Sequence, residues 1–469
     1  MKNKLTAFKM KNKLIAFIIL ASSVIAFAEV PQELKEQWEH PALRMKIDAG
    51  IKANRMGLFS ISFNKPIENL EVRLAKHEFL FGIYASRSVC ENSNQSYTKE
   101  QIAKYDELIK KVFNYGTVAT VWKRIEPEKD KMRWDYSNDK NIDISIDKNP
   151  TVLQPDIALA FCEKNDMAVK SHCFSWMISG THFIPNWINP NGNRADIERQ
   201  LNSSITKTIQ RYGDKIRIWD VVNEAADYVG TGNIRFDDYV QKAFKEAERQ
   251  LPSDHIFLIN ETTSAWEQYA MHEQTGRFYL LCDNLISKGL KLDAIGLQFH
   301  IFSENEWKRI LKGQAKTPAL LLKALDGYSR LKRPIHITEI TIPTNKDFGG
   351  EEAQAYYAKN IYELWFSHPN VEAITWWNMR DGQAAPNEKA LNGGLIRADL
   401  TPKPSYKALE ELISKKWQTH ETFAGKNNNC RFAGFYGLYD ITYTINGKTE
   451  TKQVWLGKKS PRNIKIDIK

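Results

Sequence analysis

Cysteine is scarce in this sequence. Five residues in 469 (Cys90, Cys162, Cys173, Cys282 and Cys430) are scattered, with no CxxC spacing and no Cys/His array. That excludes a disulfide-stapled scaffold and a zinc finger or ribbon, so neither a structural metal nor a cofactor is expected. Long apolar runs are also lacking. The longest, Leu14 to Phe27, is too short to span a bilayer. There is no repeat period and no low-complexity tract, which excludes solenoids and arrays. Charge of one sign is modest as well. The formal net charge is +10, but residues 1–28 hold five lysines and no acid, and without them it falls to +5. With no finger or basic-helix motif, a nucleic-acid partner is not expected.

What is present begins with a leader. Lysines at 2, 4, 9, 11 and 13 precede the apolar run, and Ala26-Phe-Ala28 supplies the small residues that a signal peptidase reads. Residues 1–28 are therefore read as a secretory signal peptide, not a membrane anchor, with a periplasmic or extracellular mature protein. Met1-Lys-Asn-Lys-Leu is nearly repeated from Met10, a second candidate start.

Residues 29–76 read as a β-rich N-terminal segment. Met56 to Phe63 and Leu70 to Leu74 alternate at period two, with Asn64-Lys-Pro66 as the turn between them. From residue 77 a βα rhythm sets in. Strand candidates are Phe79–Tyr84, Tyr115–Val121, Ala168–Phe174, Ile216–Glu224, Ile256–Glu261, Ala294–Ile301, Ile335–Thr341 and Ala373–Asp381. Helical spacing recurs between them, as in Ile197, Leu201, Ile205 and Ile209, or Tyr357, Ile361 and Leu364. Eight strands alternating with helices predict an α/β fold, a (β/α)₈ TIM barrel over 77–418, whose functional residues lie at the C-terminal strand ends. The segment Asp139–Pro155 has no periodicity and reads as a loop excursion. A closing helix is expected near Lys407–Lys416. Residues 419–469 then read as a small C-terminal β appendage, with Asn427-Asn-Asn as a linker or turn and Asn446-Gly447 as a hairpin turn.

Two stretches stand out within the barrel pattern. Ile216-Arg-Ile-Trp-Asp-Val-Val-Asn-Glu224 and Ile335-His-Ile-Thr-Glu339 are apolar strands that end in carboxylates 115 positions apart. A glutamate at the end of a buried strand needs partners, and a barrel brings the fourth and seventh strand ends to one face. Paired carboxyl groups flanking a cavity are the usual equipment for cleaving a glycosidic bond.

With these residues in view, the chain resembles glycoside hydrolase family 10, the retaining endo-β-1,4-xylanases and their relatives, over roughly residues 77–418. The likeness is carried by Trp219-Asp-Val-Val-Asn-Glu224, Ile337-Thr-Glu339, His172 and Trp176, Ile259-Asn260, Gly296-Leu-Gln-Phe-His300, Trp377 with Asp381, and Pro402-Lys-Pro404. The resemblance implies Glu339 as nucleophile and Glu224 as acid/base, the charge on Glu339 raising the pKa of Glu224. It implies that Asn223 bonds the sugar 2-hydroxyl, that His300 holds Glu339 ionised with Gln298 in support, that Lys123 and His172 bind glycone hydroxyls, and that Trp176 and Trp377 form aromatic walls. Asp381 is open between a site role and a structural salt bridge. The implied partner is a xylan-like polysaccharide or oligosaccharide.

The sequence departs from the family pattern around the glycone subsites. Ala119 and Thr120 stand where a Glu-Asn pair is usual, Met177 and Ser179 where histidine and glutamine are, Thr341 where an aspartate is. No tryptophan follows in Asp381-Gly-Gln-Ala-Ala-Pro386. Contacts that discriminate sugar hydroxyls are removed while the catalytic pair is kept. Substituted glucuronoxylan, an aryl β-xyloside or another β-glycoside therefore stay open as substrates beside plain xylan, as does a non-catalytic sugar-binding protein. Arg380 is a candidate partner for a uronate carboxylate in the vacated space.

Overall fold

The structure is a computed structural model and describes residues 30–88, 97–134, 154–178, 183–227, 234–236, 238–344, 349–384 and 388–468. The leader over 1–28, nearly all of the excursion over 139–155, Cys90, Ser179 and residues 385–386 lie outside them.

Thirteen strands are described. β1 (Met56–His77) precedes eight barrel strands: β2 (Leu80–Ile83), β3 (Tyr115–Ala119), β4 (Ala168–Ser175), β5 (Ile218–Asn223), β6 (Ile256–Glu261), β7 (Ala294–His300), β8 (Ile335–Thr341) and β9 (Val371–Trp376). β10 (His420–Phe435), β11 (Gly437–Ile445), β12 (Lys448–Leu456) and β13 (Asn463–Ile466) follow. β2 to β9 are parallel and close on themselves, β2 pairing with both β3 and β9, while helices such as Arg194–Tyr212 and Gly350–Ser367 occupy the connections. This is the (β/α)₈ barrel the periodicity predicts. Its strands are buried along almost their whole length, which is why they read as continuous apolar runs and not as alternating ones.

The flanking segments depart from the sequence reading in three ways. Residues 32–55 form two helices, Gln32–Trp38 and Pro41–Arg55, and not β structure. Leu34 and Trp38, and Ile47 and Ile51, stand four apart and bury one helical stripe each. Second, Asn64-Lys-Pro66 does not turn the chain. β1 runs on for 22 residues, with register shifts between Ser62 and Ile67 and between Ile67 and Asn69. Proline has no N–H to give a ladder, so it sits at an irregularity. Across this irregularity the buried set passes from Phe59, Ile61 and Phe63 to Leu70, Val72 and Leu74, keeping one face inward. Third, Asn427-Asn-Asn lies inside β10, because pairing with β1 overrides the turn propensity of asparagine.

One consequence joins the two ends of the chain. β1 pairs with β10, β11 and β13, so a five-stranded sheet is built from residues on both sides of the barrel. Asn446 and Gly447, with φ of 50° and 72°, make the expected hairpin turn between β11 and β12. The closing helix begins at Pro404, earlier than the sequence suggests, and ends in a wider turn over Leu412–Lys416. Trp417 then stacks on Phe366 at 4.0 Å, packing the end of the barrel against the strand that returns to the sheet. No helix among the described residues is long and apolar enough to cross a membrane.

Candidate active site

Glu339 projects from β8 and is 4% exposed. Burial pushes its carboxyl pKa up, but the bond from His300 and the positive fields of His172, His300 and Lys170 outweigh it, and the net shift is downward. His300 Nε2 lies 3.0 Å from Oε2, and its Nδ1 lies 2.9 Å from the Thr341 hydroxyl. Asn260 Nδ2 donates to Oε1 at 2.8 Å, while its own Oδ1 accepts from Thr338 Oγ1 at 2.6 Å. The anionic form is thus hydrogen-bonded on both oxygens.

Glu224 follows the last residue of β5 and takes a left-handed backbone, φ 54°. Such a conformation costs a non-glycine residue about 1–3 kcal/mol, and the surroundings hold it in place. The Glu224 N–H donates to the Asn260 carbonyl at 2.8 Å. The Arg235 guanidinium collects the carbonyls of Met177, Glu224, Ala225 and Asp227, and Glu261 accepts the Ala226 N–H at 2.7 Å. The side chain accepts from Gln298 Nε2 at 3.0 Å on one oxygen and from Trp176 Nε1 at 3.0 Å on the other. Burial is the largest cause that pushes its pKa up, to about 8; the bond from Gln298 opposes it and the charge on Glu339 adds to it. The sequence reading gave the neighbouring charge the leading part. Desolvation takes that part here, because Glu224 is buried and, among the described residues, has no cationic partner at hydrogen-bond distance.

The two carboxyl groups are therefore pushed apart, one protonated and one ionised near neutral pH. A chain of amides connects them. Gln298 Nε2 reaches Glu224 at 3.0 Å and Asn223 Oδ1 at 3.5 Å, and Asn223 Oδ1 accepts from the same Asn260 amide that holds Glu339, at 2.9 Å. Asn223 Nδ2 is buried and meets no acceptor among the described residues.

Four other expected residues gather at this mouth. His172 Nδ1 bonds Asp220 Oδ2 at 2.9 Å, and Asp220 is itself paired with Lys170 at 2.6 Å, a fully buried ion pair beneath the site. Trp377 meets both His172 and His300 edge-on and stacks on Tyr84 at 3.9 Å and 7°. Trp176 meets His172 edge-on and stacks on Phe183. Lys123 follows β3 and donates to Asn186 Oδ1 at 2.8 Å; burial, then Arg124, lowers its pKa.

Two residues are placed elsewhere. Asp381 holds Lys403, fully buried, at 2.7 Å and accepts the Gly394 N–H at 2.9 Å, so it is a structural ion pair. Arg380 is 3% exposed; it bonds the Tyr97 hydroxyl, donates to Gln383 Oε1 at 2.5 Å and lies over the Tyr97 and Tyr105 rings. That replaces the expected uronate partner, since packing on the Tyr97–Tyr105 side engages the guanidinium. The space left by the small residue Ala119 is packed by Tyr84 and Trp377, and Thr120 bonds Ser171 at 2.5 Å.

Asn260, Lys170 and Asp220 belong to the site more firmly than sequence reasoning placed them. A polar residue inside an otherwise apolar barrel strand was the available signal in each case. Among the described residues no group of three or more histidine, cysteine, aspartate or glutamate side chains is placed to hold a metal ion.

Comparison with known proteins agrees with this geometry. The sequence profile of glycosyl hydrolase family 10 matches residues 73–412. Endo-1,4-β-xylanase B of Thermotoga neapolitana is 25% identical over 69% of this chain and 87% of its own. Endo-1,4-β-xylanase A of Caldicellulosiruptor saccharolyticus is 31% identical over 47% of this chain and 66% of its own. Anti-sigma-I factor RsgI6 of Acetivibrio thermocellus is 27% identical over 82% of this chain, which spans 44% of that protein's length. Among solved structures, xylanase 10B of Thermotoga petrophila, crystallised with xylobiose, matches in fold with a TM-score of 0.56 and 24% identity, over 72% of this chain and 95% of its own.

Proposed function

Because the chain belongs to glycosyl hydrolase family 10, we propose that it is an exported endo-1,4-β-xylanase that cleaves xylan with retention of anomeric configuration. One observation carries the reading. Two buried glutamates at the barrel mouth are tied together through Gln298, Asn223 and Asn260, with one pKa raised to about 8 and the other lowered.

The steps follow from those states. Glu339, ionised and oriented by His300 and Asn260, attacks the anomeric carbon and forms a glycosyl-enzyme. Glu224 gives its proton to the departing glycosidic oxygen as that bond breaks. Water then enters, Glu224 takes its proton, and the hydroxide equivalent displaces Glu339, returning both groups to their starting states. Asn223 Nδ2 binds the sugar 2-hydroxyl, and Lys123 and His172 the hydroxyls beside it. The lysine-rich leader over 1–28 supports export.

Product analysis tests the reading. The mature protein is incubated with glucuronoxylan, neutral arabinoxylan and an aryl β-xyloside, with Glu339→Gln as the blank. Short β-1,4-xylo-oligosaccharides absent from the blank are expected. Release from the aryl glycoside alone would assign the site to a small β-xyloside, and no release from any of the three would overturn the xylanase reading.

A further inference from the structure

Six large apolar side chains are substantially exposed among the described residues, and five of them (Met45, Leu58, Met271, Leu280 and Trp455) lie on outer helices or on the appended sheet. The sixth, Phe302, is 44% exposed at the catalytic mouth, two residues beyond the end of β7. Its ring stacks on His300 at 4.6 Å and 17°, and His300 is the residue that holds the nucleophile Glu339 at 3.0 Å. One face of the phenyl ring is covered by the imidazole, leaving the other to solvent.

The placement is fixed on both sides. Ile301 N–H donates to the Thr341 carbonyl at 2.9 Å, and Ser303 caps the helix Glu304–Leu311 by accepting the Glu306 N–H at 3.1 Å. Phe302 thus sits between Ile301, tied to the β8 backbone, and the helix cap Ser303, so little freedom is lost when something settles on it. Exposing a rigid apolar ring at this point has no benefit for folding.

Around the barrel, β7 lies four strands from β3 in either direction. Lys123 follows β3, and His172, Trp377 and Tyr84 lie on or next to β4, β9 and β2. The hydroxyl-binding candidates therefore line one half of the mouth and Phe302 stands on the opposite half, with the catalytic pair between them. We propose that Phe302 is the stacking platform for the sugar ring on the leaving-group side of the scissile bond, its open face taking the apolar C–H face of a pyranose. This deepens the xylanase reading and rests on it. The platform binds the leaving sugar before cleavage and the acceptor in the reverse step.

The test compares Phe302→Ala, Phe302→Trp and the parent on two substrates. Xylotetraose needs a sugar on the leaving-group side. β-Xylobiosyl fluoride has a single-atom leaving group and needs none. For Phe302→Ala, kcat/KM on xylotetraose is expected to fall about three- to tenfold further than on the fluoride, the range that an aromatic contact supplies, with the change mainly in KM. Phe302→Trp, which keeps a flat face, is expected to restore the ratio. An equal loss on both substrates would show that Phe302 serves only to support His300, and an unchanged ratio would show that no sugar rests on it; either overturns the proposal. A parent protein that turns over neither substrate would remove the xylanase reading itself, a result distinct from both.

Discussion

Replacing Glu224 with glutamine is expected to stabilise the fold while abolishing turnover of xylan, and the stabilisation is expected to grow with pH. Burial raises the Glu224 pKa from 4.5 to about 8 in the folded protein. Below the unfolded value both states carry the proton and nothing is lost. As pH rises through the interval, only the folded state keeps it, and stability declines until the folded pKa is passed. At roughly 1.4 kcal/mol per unit, the loss is about 3 kcal/mol at pH 7 and under about 1 kcal/mol at pH 5. Glutamine has no charge to desolvate and retains one acceptor for Gln298 or Trp176. For a chain of this size the gap corresponds to about 3 °C in Tm at pH 7, shrinking towards zero at pH 5. Scanning calorimetry of both proteins between pH 5 and pH 8 measures it. A gap that does not change with pH, or a variant less stable than the parent throughout, would refute the assignment of Glu224 as a desolvated carboxyl.

Three further outcomes follow from the same geometry. The pH profile of kcat/KM on xylo-oligosaccharides is expected to be bell-shaped, its basic limb near 8 from deprotonation of Glu224 and its acid limb below the ordinary carboxylate range from protonation of Glu339; a basic limb near 5 would contradict it. Asn260→Ala removes a donor from the ionised Glu339 carboxylate, a bond worth about 1.5–3 kcal/mol, so kcat should fall about 10- to 100-fold and the acid limb should move up, both measured by steady-state kinetics. Asp381→Ala leaves Lys403 buried without its carboxylate and is expected to cost about 3–5 kcal/mol in denaturant unfolding, with specific activity of the folded fraction retained; loss of activity without loss of stability would return Asp381 to the site.

The barrel was legible because its strands are continuous apolar runs separated by helical spacing, a pattern that burial on both faces imposes. Glu224 and Glu339 stood out as candidates for a related reason: a carboxylate closing such a run is expensive to bury unless it has partners. The appended sheet was harder to read. Pro66 and Asn427 carry strong turn propensities, yet β1 and β10 pair across the whole of the intervening barrel and override them, and local pattern carries no trace of a partner that far away. Arg380 was misjudged because sequence places it beside Asp381 without telling which way either side chain turns; the tyrosines that engage it come from residues 97–105. The leading cause of the Glu224 shift was also hidden, since desolvation depends on packing that only the fold supplies.

Following the anomeric protons of the first product by NMR during cleavage of xylotetraose tests the central claim most directly. Double displacement through Glu339 with Glu224 as acid/base predicts that the β-anomer appears first and the α-anomer only later, by mutarotation. The α-anomer appearing first would mean that water attacks directly, and the roles assigned to the two glutamates would be wrong.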